Sequence, residues 1–458
     1  MKKNILNILN LLLSNPGFFF NLLINKYKNK IDEIQLFSSG LKKIIKFNYL
    51  NWPLDKSSST KYILIDSIRS PEIIIPYIYF SNILSKIHNA KIASFSEKQK
   101  QNNSELRKSF NCKDHIYIKL NKKEDILKKN LILKDLKKSI KNKKDVFEIN
   151  IYDINCGIDI YETYLRKGYP TVNINNPLLW EIIERAIEIC IFWTNFFDNN
   201  EVVAILPSHD VYIDYNIIIK IAQRKNIPVY MASLYNFQLS TEPHSLYKNR
   251  FNNYKKYYEN LSTEEKKEAL KISSKQIKLR LSGKVGVDIT YSTKSSFNPK
   301  NIKKNNVLKK SKNLKVLICT HCFFDNPHAY GSLLFIDFYE WIKYLGNISN
   351  KTDYDWYIKP HPDYLPGTIQ TIKQIIKKYP KIQLISPKVS FHQLIEEGIT
   401  NVLTCYGSVG HELAFLGVNV INAGLNPHVN FDFNEHPSTL EEYKKIIKNL
   451  KNLKIKVQ

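Results

Sequence analysis

The sequence predicts an α/β protein built from two Rossmann-like domains with a ligand cleft between them. Three observations predict it. Short apolar runs of strand length alternate with helical periodicities along most of the chain. Polar, titratable and glycine residues collect immediately after those runs. A length of 458 residues exceeds what one hydrophobic core usually supports.

The strands of the C-terminal half are read from "LKVLICT", "DWYIKP", "KIQLIS", "NVLTC" and "NVINAG". Helices are expected between them, over Ser332 to Leu345, Thr368 to Lys378, Phe391 to Glu397 and Glu412 to Leu416, with a last one from Ser438. Strands separated by helices require right-handed crossovers, hence a parallel sheet. The N-terminal half repeats the theme with "KYILID", "AKIASF", "HIYIKL", "VVAIL" and "IPVYMAS", and with helices over Pro177 to Phe197 and Tyr212 to Arg224. Residues 249–280 are polar and helical, and the basic, loop-like stretch after them reads as a linker. The expected division is a helical extension at 1–55, a first domain at 56–283, a linker at 284–313 and a second domain at 314–458.

The bulk numbers bound the function. A 43% hydrophobic content fills real cores and excludes a disordered chain. The formal charge of +26 suggests either an anionic partner or a lysine-rich composition of the kind AT-rich coding produces. Because the lysines are scattered through every segment, no nucleic-acid partner is expected. Six cysteines include one CxxC, Cys319 and Cys322, flanked by His321 and His328. A closed zinc site would want a second ligand pair, and none is visible, so reduced structural thiols and no metal are expected in a cytoplasmic protein. The N-terminal "MKKNILNILNLLLSNPGFFFNLLINK" resembles a signal peptide, but asparagines interrupt its apolar run and no cleavage site follows. That segment is expected either to lie on a membrane surface or to pack on the body.

In a parallel α/β sheet, ligands gather beyond the carboxyl ends of the strands. Residues there include His321, Asp325 and His328 after the first C-terminal strand, and Lys359 and His361 in "KPHP" after the second. After the fourth comes "YGSVGHE", with Gly407, Ser408, Gly410 and Glu412. Four of only 14 glycines fall between Tyr406 and Gly424, where two shape a strand-to-helix turn and two look like punctuation. Such a turn accepts a phosphate: Ser408 adds a hydroxyl and Glu412 accepts a sugar hydroxyl, unless they merely cap the helix. Two prolines hold His361 extended, ready to donate to a phosphate oxygen. Asp325 and His328 serve either acid–base work or helix capping. In the N-terminal half, Ser208, His209 and Asp210 follow a strand, and His209 is a candidate general base.

"KPHP", followed about fifty residues later by "GSVGHELAFLGVNVINAG", resembles the glycosyltransferases of capsule and surface-polysaccharide biosynthesis, a group that includes Kdo transferases and polysialyltransferases. The segments "DNPHAYGSLLFIDFYEW", "DIYETYLRKG" and "SHDVYIDYNIIIKIAQRKNIPVY" extend the resemblance over roughly residues 150 to 430. The resemblance implies a GT-B fold with the donor nucleotide on the C-terminal domain, and donor-phosphate contacts from His361 and Ser408. Lys359, Gly407, Gly410, Glu412 and His321 complete the expected donor set. It also implies an inverting, metal-independent transfer from a nucleotide-sugar to a glycan or lipid-linked acceptor, in the cytoplasm or at the cytoplasmic face of the inner membrane. The nucleotide-sugar is then a substrate, and no cofactor is needed. The base would come from the N-terminal domain, where Asp159, Glu162, His209 and Asp210 are candidates. A UDP-sugar 2-epimerase, a teichoic-type glycerophosphotransferase, a basic nucleic-acid-binding module and a non-catalytic scaffold remain as alternatives.

Overall fold

A computed structural model describes residues 39–51, 59–68, 71–97, 104–232, 237–240, 251, 253–287, 293–302 and 305–456. The first apolar segment, with the membrane expectation attached to it, lies outside the described residues. The chain divides into two compact units. Among the described residues, one takes 39–167 and 172–240, the other 168–171 and 251–456.

The first unit runs α1 (Ser39–Asn51), β1 (Tyr62–Asp66), α2 (Pro71–His88), β2 (Lys91–Ser96), α3 (Ser104–Lys108), β3 (Asp114–Tyr117), α4 (Lys123–Ser139) and α5 (Lys143–Phe147). It continues with β4 (Asn150–Ile151), β5 (Ile154–Asn155), α6 (Gly157–Arg166), α7 (Pro177–Asn199), β6 (Val202–Leu206), α8 (Ile213–Arg224), β7 (Val229–Ala232) and β8 (Phe237–Ser240). Its main sheet has the order β3-β2-β1-β6-β7-β8, parallel except for the last strand, which pairs antiparallel with β7. "YILID" and "VVAIL" are almost wholly buried, as strands covered on both faces must be. Asn176 caps α7 by accepting from the Leu178 amide at 3.0 Å, and Pro177 takes the first turn, where no amide is needed.

The second unit runs α9 (Tyr254–Glu259), α10 (Thr263–Leu281), β9 (Lys315–Cys319), α11 (Phe338–Ser349), β10 (Asp355–Lys359), α12 (Thr368–Ile376) and β11 (Ile382–Leu384). After these come α13 (Phe391–Glu396), β12 (Ile399–Thr404), α14 (Val409–Phe415), β13 (Asn419–Asn422) and α15 (Leu440–Lys448). Its five strands are all parallel in the order β11-β10-β9-β12-β13. Both units are therefore Rossmann-like α/β units, as the sequence predicts. In each, the chain builds outward from its first strand and then returns to that strand's other side. The switch points lie between β1 and β6 and between β9 and β12.

Two sequence readings change. Helix α11 starts at Phe338 rather than Ser332, because Leu333 bridges to Gly424 and the Leu334 amide bonds the Ala423 carbonyl at 2.9 Å. That pairing holds the preceding residues extended, and Asp337 then caps the helix by accepting from the Glu340 amide at 2.8 Å. Residues 254–281, 293–302 and 305–313, read as the end of the first domain and a linker, cluster with the second unit. Phe297 and Leu308 are buried in its core beside Leu317, Tyr357 and Phe391. The Glu397 carboxylate accepts from the Val307 and Leu308 amides at 2.8 and 2.6 Å.

Behind the sheet, Trp341, Trp356 and Tyr443 are buried together, and the Trp341 indole donates to the Tyr443 hydroxyl at 2.9 Å. Gly346 of α11 faces the Tyr379 ring, and a Cβ there would lie 2.3 Å from a ring carbon. Replacing Gly346 with Ala is expected to lower unfolding free energy by roughly 1–3 kcal/mol through overpacking. Urea denaturation of the purified variant measures it. Helix propensity alone favours Ala, so a stabilised variant would show that the ring moves aside freely.

Candidate functional site

At the carboxyl edge of the second sheet, the ends of β9, β10 and β12 enclose a cavity of about 300 Å³. Its walls include His321, Asp325, Lys359, His361, Gly407, Ser408 and Glu412, seven of the residues singled out from sequence. Residues as far apart in sequence as His321 and Glu412 meet here because β12 pairs with β9 at the switch point, while the Thr320 amide bonds the Lys359 carbonyl at 3.1 Å.

The turn after β12 is held by His321. Its Nε2 accepts from the Cys405 and Tyr406 amides, both at 3.3 Å, and stands 3.0 Å from the Thr404 hydroxyl. An acceptor nitrogen carries no proton, so the Thr404 hydroxyl donates to it and Nδ1 holds the hydrogen. The ring stacks on Tyr406 with centroids 4.4 Å apart. Burial, with His361 adding a smaller push, lowers its pKa to about 3, so the imidazole is neutral in ordinary conditions. His321 is thus a clasp on the turn, and its Nε2 takes amides that a phosphate would otherwise use. Gly407 is favoured by the same clasp. Its φ is not positive, but a Cβ would lie 3.1 Å from both the His321 ring and the Thr404 hydroxyl oxygen.

Lys359 differs from its expected role. Its side chain is buried; Nζ donates to the Ser296 hydroxyl at 2.9 Å and the Pro387 carbonyl at 3.1 Å, and lies 4.4 Å from the Phe391 ring centroid. The ammonium braces β10 against two neighbouring loops. Burial lowers its pKa to about 8, opposed weakly by Cys319 and Glu412. His361 stands exposed at the mouth of the cavity. Its Nδ1 accepts from the Asp363 amide at 3.1 Å, which leaves Nε2 as the protonated nitrogen of the neutral ring. Desolvation by the surrounding protein lowers its pKa, with Asp363 pulling the other way. A neutral donor of this kind suits an anionic oxygen.

The residue missed from sequence is Arg280, at the end of α10. Its Nε pairs with the Glu412 carboxylate and its NH2 donates to Ser408 Oγ at 3.2 Å. Glu412 therefore neutralises a guanidinium instead of offering a carboxylate to a sugar hydroxyl. Ser408 makes no capping bond to α14, so the capping alternative fails for it. Helix α14 has seven residues, too short for much dipole, and the positive potential must come from side chains. Four cations, Arg280, Lys284, Lys294 and Lys359, line the cavity against the carboxylates of Asp325, Asp363 and Glu412. One signal marked Arg280: it is the only arginine after position 250 in a chain with seven arginines among 68 basic residues. A planar fork kept where lysine is otherwise standard points to bidentate recognition.

Gly410 and His328 fall outside the cavity. Gly410 meets the His428 ring, whose Nε2 would lie 2.1 Å from an added Cβ, so its duty is close packing. His328 is buried nearby in the chain, and capping of α11 falls to Asp337 rather than to His328 or Asp325. Asp325 lines the cavity wall.

In the first unit, Asp159 is not available as a base. Its buried carboxylate accepts from Asn216 at 2.7 Å and from Lys220 Nζ at 2.6 Å, tying α6 to α8. Burial alone would lower the Lys220 pKa, but the pairing with Asp159 outweighs it and the pKa is raised. Glu162 and Asp210 are buried as well. His209 is half-buried just beyond β6, with Nδ1 2.7 Å from Ser208 Oγ and its ring 5.3 Å from that of Tyr215. The Ser208 amide bonds Asp66 at the end of β1, so His209 sits at the switch point of its own sheet.

No protein family matches the chain, and no curated protein matches it. Solved structures align along most of its length. A UDP-GlcNAc 2-epimerase from Neisseria meningitidis bound to UDP-GlcNAc has 15% identity over 85% of this chain and 92% of that one, with a TM-score of 0.25. A glycosyltransferase from Rickettsia africae has 12% identity over 86% and 89%, at 0.26. Anabaena Alr3699/HepE in complex with UDP and glucose has 11% identity over 86% and 90%, also at 0.26. Likeness at these scores assigns no activity, and the fold rests on the two sheets themselves.

Lys359 makes stability depend on pH in a defined sense. Its folded pKa of about 8 lies below the ordinary 10.5, so between these values the unfolded chain binds more protons. The cost of burying the ammonium, about 3 kcal/mol at most, is fully present below pH 8 and is relieved as the pH rises toward 10.5. The stability of wild type relative to Lys359→Met is therefore expected to rise between pH 8 and 10. Parallel denaturation curves at both pH values check it; a constant difference would mean the lysine titrates normally.

Proposed function

We propose that the chain is a glycosyltransferase of surface-polysaccharide assembly that binds a nucleotide-activated sugar in the β9–β10–β12 cavity. The observation that carries the reading is the convergence of Arg280, Ser408 and His361 on one 300 Å³ space at a sheet switch point. Three hydrogen-bond donors of different geometry, one of them a guanidinium, suit a phosphate oxygen better than a neutral ligand. The resemblance of "KPHP" and "GSVGHELAFLG" to capsule-type transferases supports the same assignment of His361 and Ser408.

The chemistry follows from charge. As the bond from the anomeric carbon to phosphate breaks, negative charge grows on the leaving oxygens, and donors aimed there lower the barrier. Arg280 supplies guanidinium N–H donors whose charge is shared with Glu412, while the neutral His361 supplies a further proton donor. Glu412 keeps the guanidinium oriented between turnovers. His209 is the proposed base for the acceptor hydroxyl, since Ser208 fixes its Nδ1 and Asp159 is committed elsewhere. The transfer is proposed as inverting, with the leaving-group charge met by side chains. CMP-linked Kdo or sialic acid is preferred over UDP-linked sugars as donor, on the resemblance alone.

Thermal unfolding against CMP, UDP, GDP and CDP compounds tests the binding half. A ligand at a hundred times its Kd is expected to stabilise by about 2.7 kcal/mol. His361→Ala is expected to lower kcat about 10²–10³-fold with an unchanged unfolding curve. Full activity in that variant would remove His361 from the site. Product analysis with labelled donor separates transfer from epimerisation, because an epimerase alters the sugar in the absence of acceptor.

A further inference from the structure

Helix α1 carries a surface that the donor site does not use. Its thirteen residues, "SGLKKIIKFNYLN", contain three lysines and no acidic residue. At 100° per residue, Leu41, Ile44, Ile45 and Asn48 share one arc. That arc faces the protein: the three apolar residues pack on the core around β1 and α2, and Asn48 donates to the Ser109 hydroxyl at 3.0 Å. On the remaining arc every described side chain is exposed. Around it, in angular order, come Tyr49, Lys42, Lys46, Leu50, Lys43 and Phe47. Phe47 is 54% exposed and Leu50 74%, which is costly surface to leave in water.

We infer that this outer face of α1 docks the protein on an anionic lipid bilayer. The pattern fits that occupant for two independent reasons. Lysines on a helix that carries no acidic residue are attracted to acidic headgroups, each contributing about fivefold in affinity near such a surface. An aromatic, a leucine and a tyrosine spaced among them can enter the headgroup boundary while the lysine stems bend their charges outward. A nucleic acid would use the lysines but has no use for Leu50, and an acidic protein surface offers no apolar depth for Phe47. With thirteen residues and three lysines, α1 itself is too short and too charged to cross a membrane, so the contact it makes is a peripheral one. It is independent of the donor-site reading.

Co-sedimentation of the full chain with vesicles tests it. One set holds phosphatidylglycerol in phosphatidylcholine, the other phosphatidylcholine alone, each at low and high salt. Binding is expected to the first set only, weakening as salt rises. Lys42→Glu with Lys43→Glu and Lys46→Glu is expected to reduce binding at least a hundredfold. Phe47→Ser with Leu50→Ser is expected to reduce it at least tenfold at unchanged charge. Both sets of changes are on the surface, and unaltered thermal unfolding verifies the fold. Equal binding to both vesicle types, or binding unaffected by either variant, overturns the inference. So does duplex-DNA binding that depends on the lysines and ignores Phe47 and Leu50, combined with no vesicle binding.

Discussion

The candidate site depends on how β9 is flanked. Because β9 pairs with β10 on one side and β12 on the other, three chain segments end together although their sequence positions are far apart. His321 turns that adjacency into a fixed shape, since one imidazole nitrogen receives two backbone amides and a hydroxyl from the end of β12. A half-buried neutral histidine is suited to this because it offers a strong acceptor without a charge to desolvate. Without it, the Cys405 and Tyr406 amides would lose their acceptor. Gly407, the Thr404 hydroxyl and the position of α14 all follow from that clasp.

Much of this was legible in the sequence, and for a plain reason. Fully buried parallel strands such as "KVLIC" and "NVLT" are short apolar runs with little competing pattern, so their ends are easy to see. Knowing the strand ends was enough to bring His321, His361 and Ser408 to one edge. The start of α11 was harder, because the aromatic periodicity from Ser332 looks helical. A bridge to Gly424, distant in sequence, prevails over it.

Roles were less legible than places. Lys359 and His321 sit where predicted, yet each serves a protein partner, because burial decides what a polar group bonds to and burial is a tertiary property. Asp159 teaches the same lesson in the first unit, where Lys220 lies two helices away in sequence. Arg280 was missed because nothing local connects the end of a lysine-rich helix to a turn more than a hundred residues later. Its residue type was the one available clue.

The stretch ahead of β9 has a practical consequence for dissecting the protein. A fragment cut at Leu314, where the strand pattern begins, would lack Arg280, the Ser296 partner of Lys359, and the buried Phe297 and Leu308. It would present the faces of Tyr357 and Phe391 to water and leave a buried ammonium short of an acceptor. A self-sufficient piece of the C-terminal half therefore begins no later than α10. The boundary of a folding unit is set here by what covers the sheet, not by where the sheet starts.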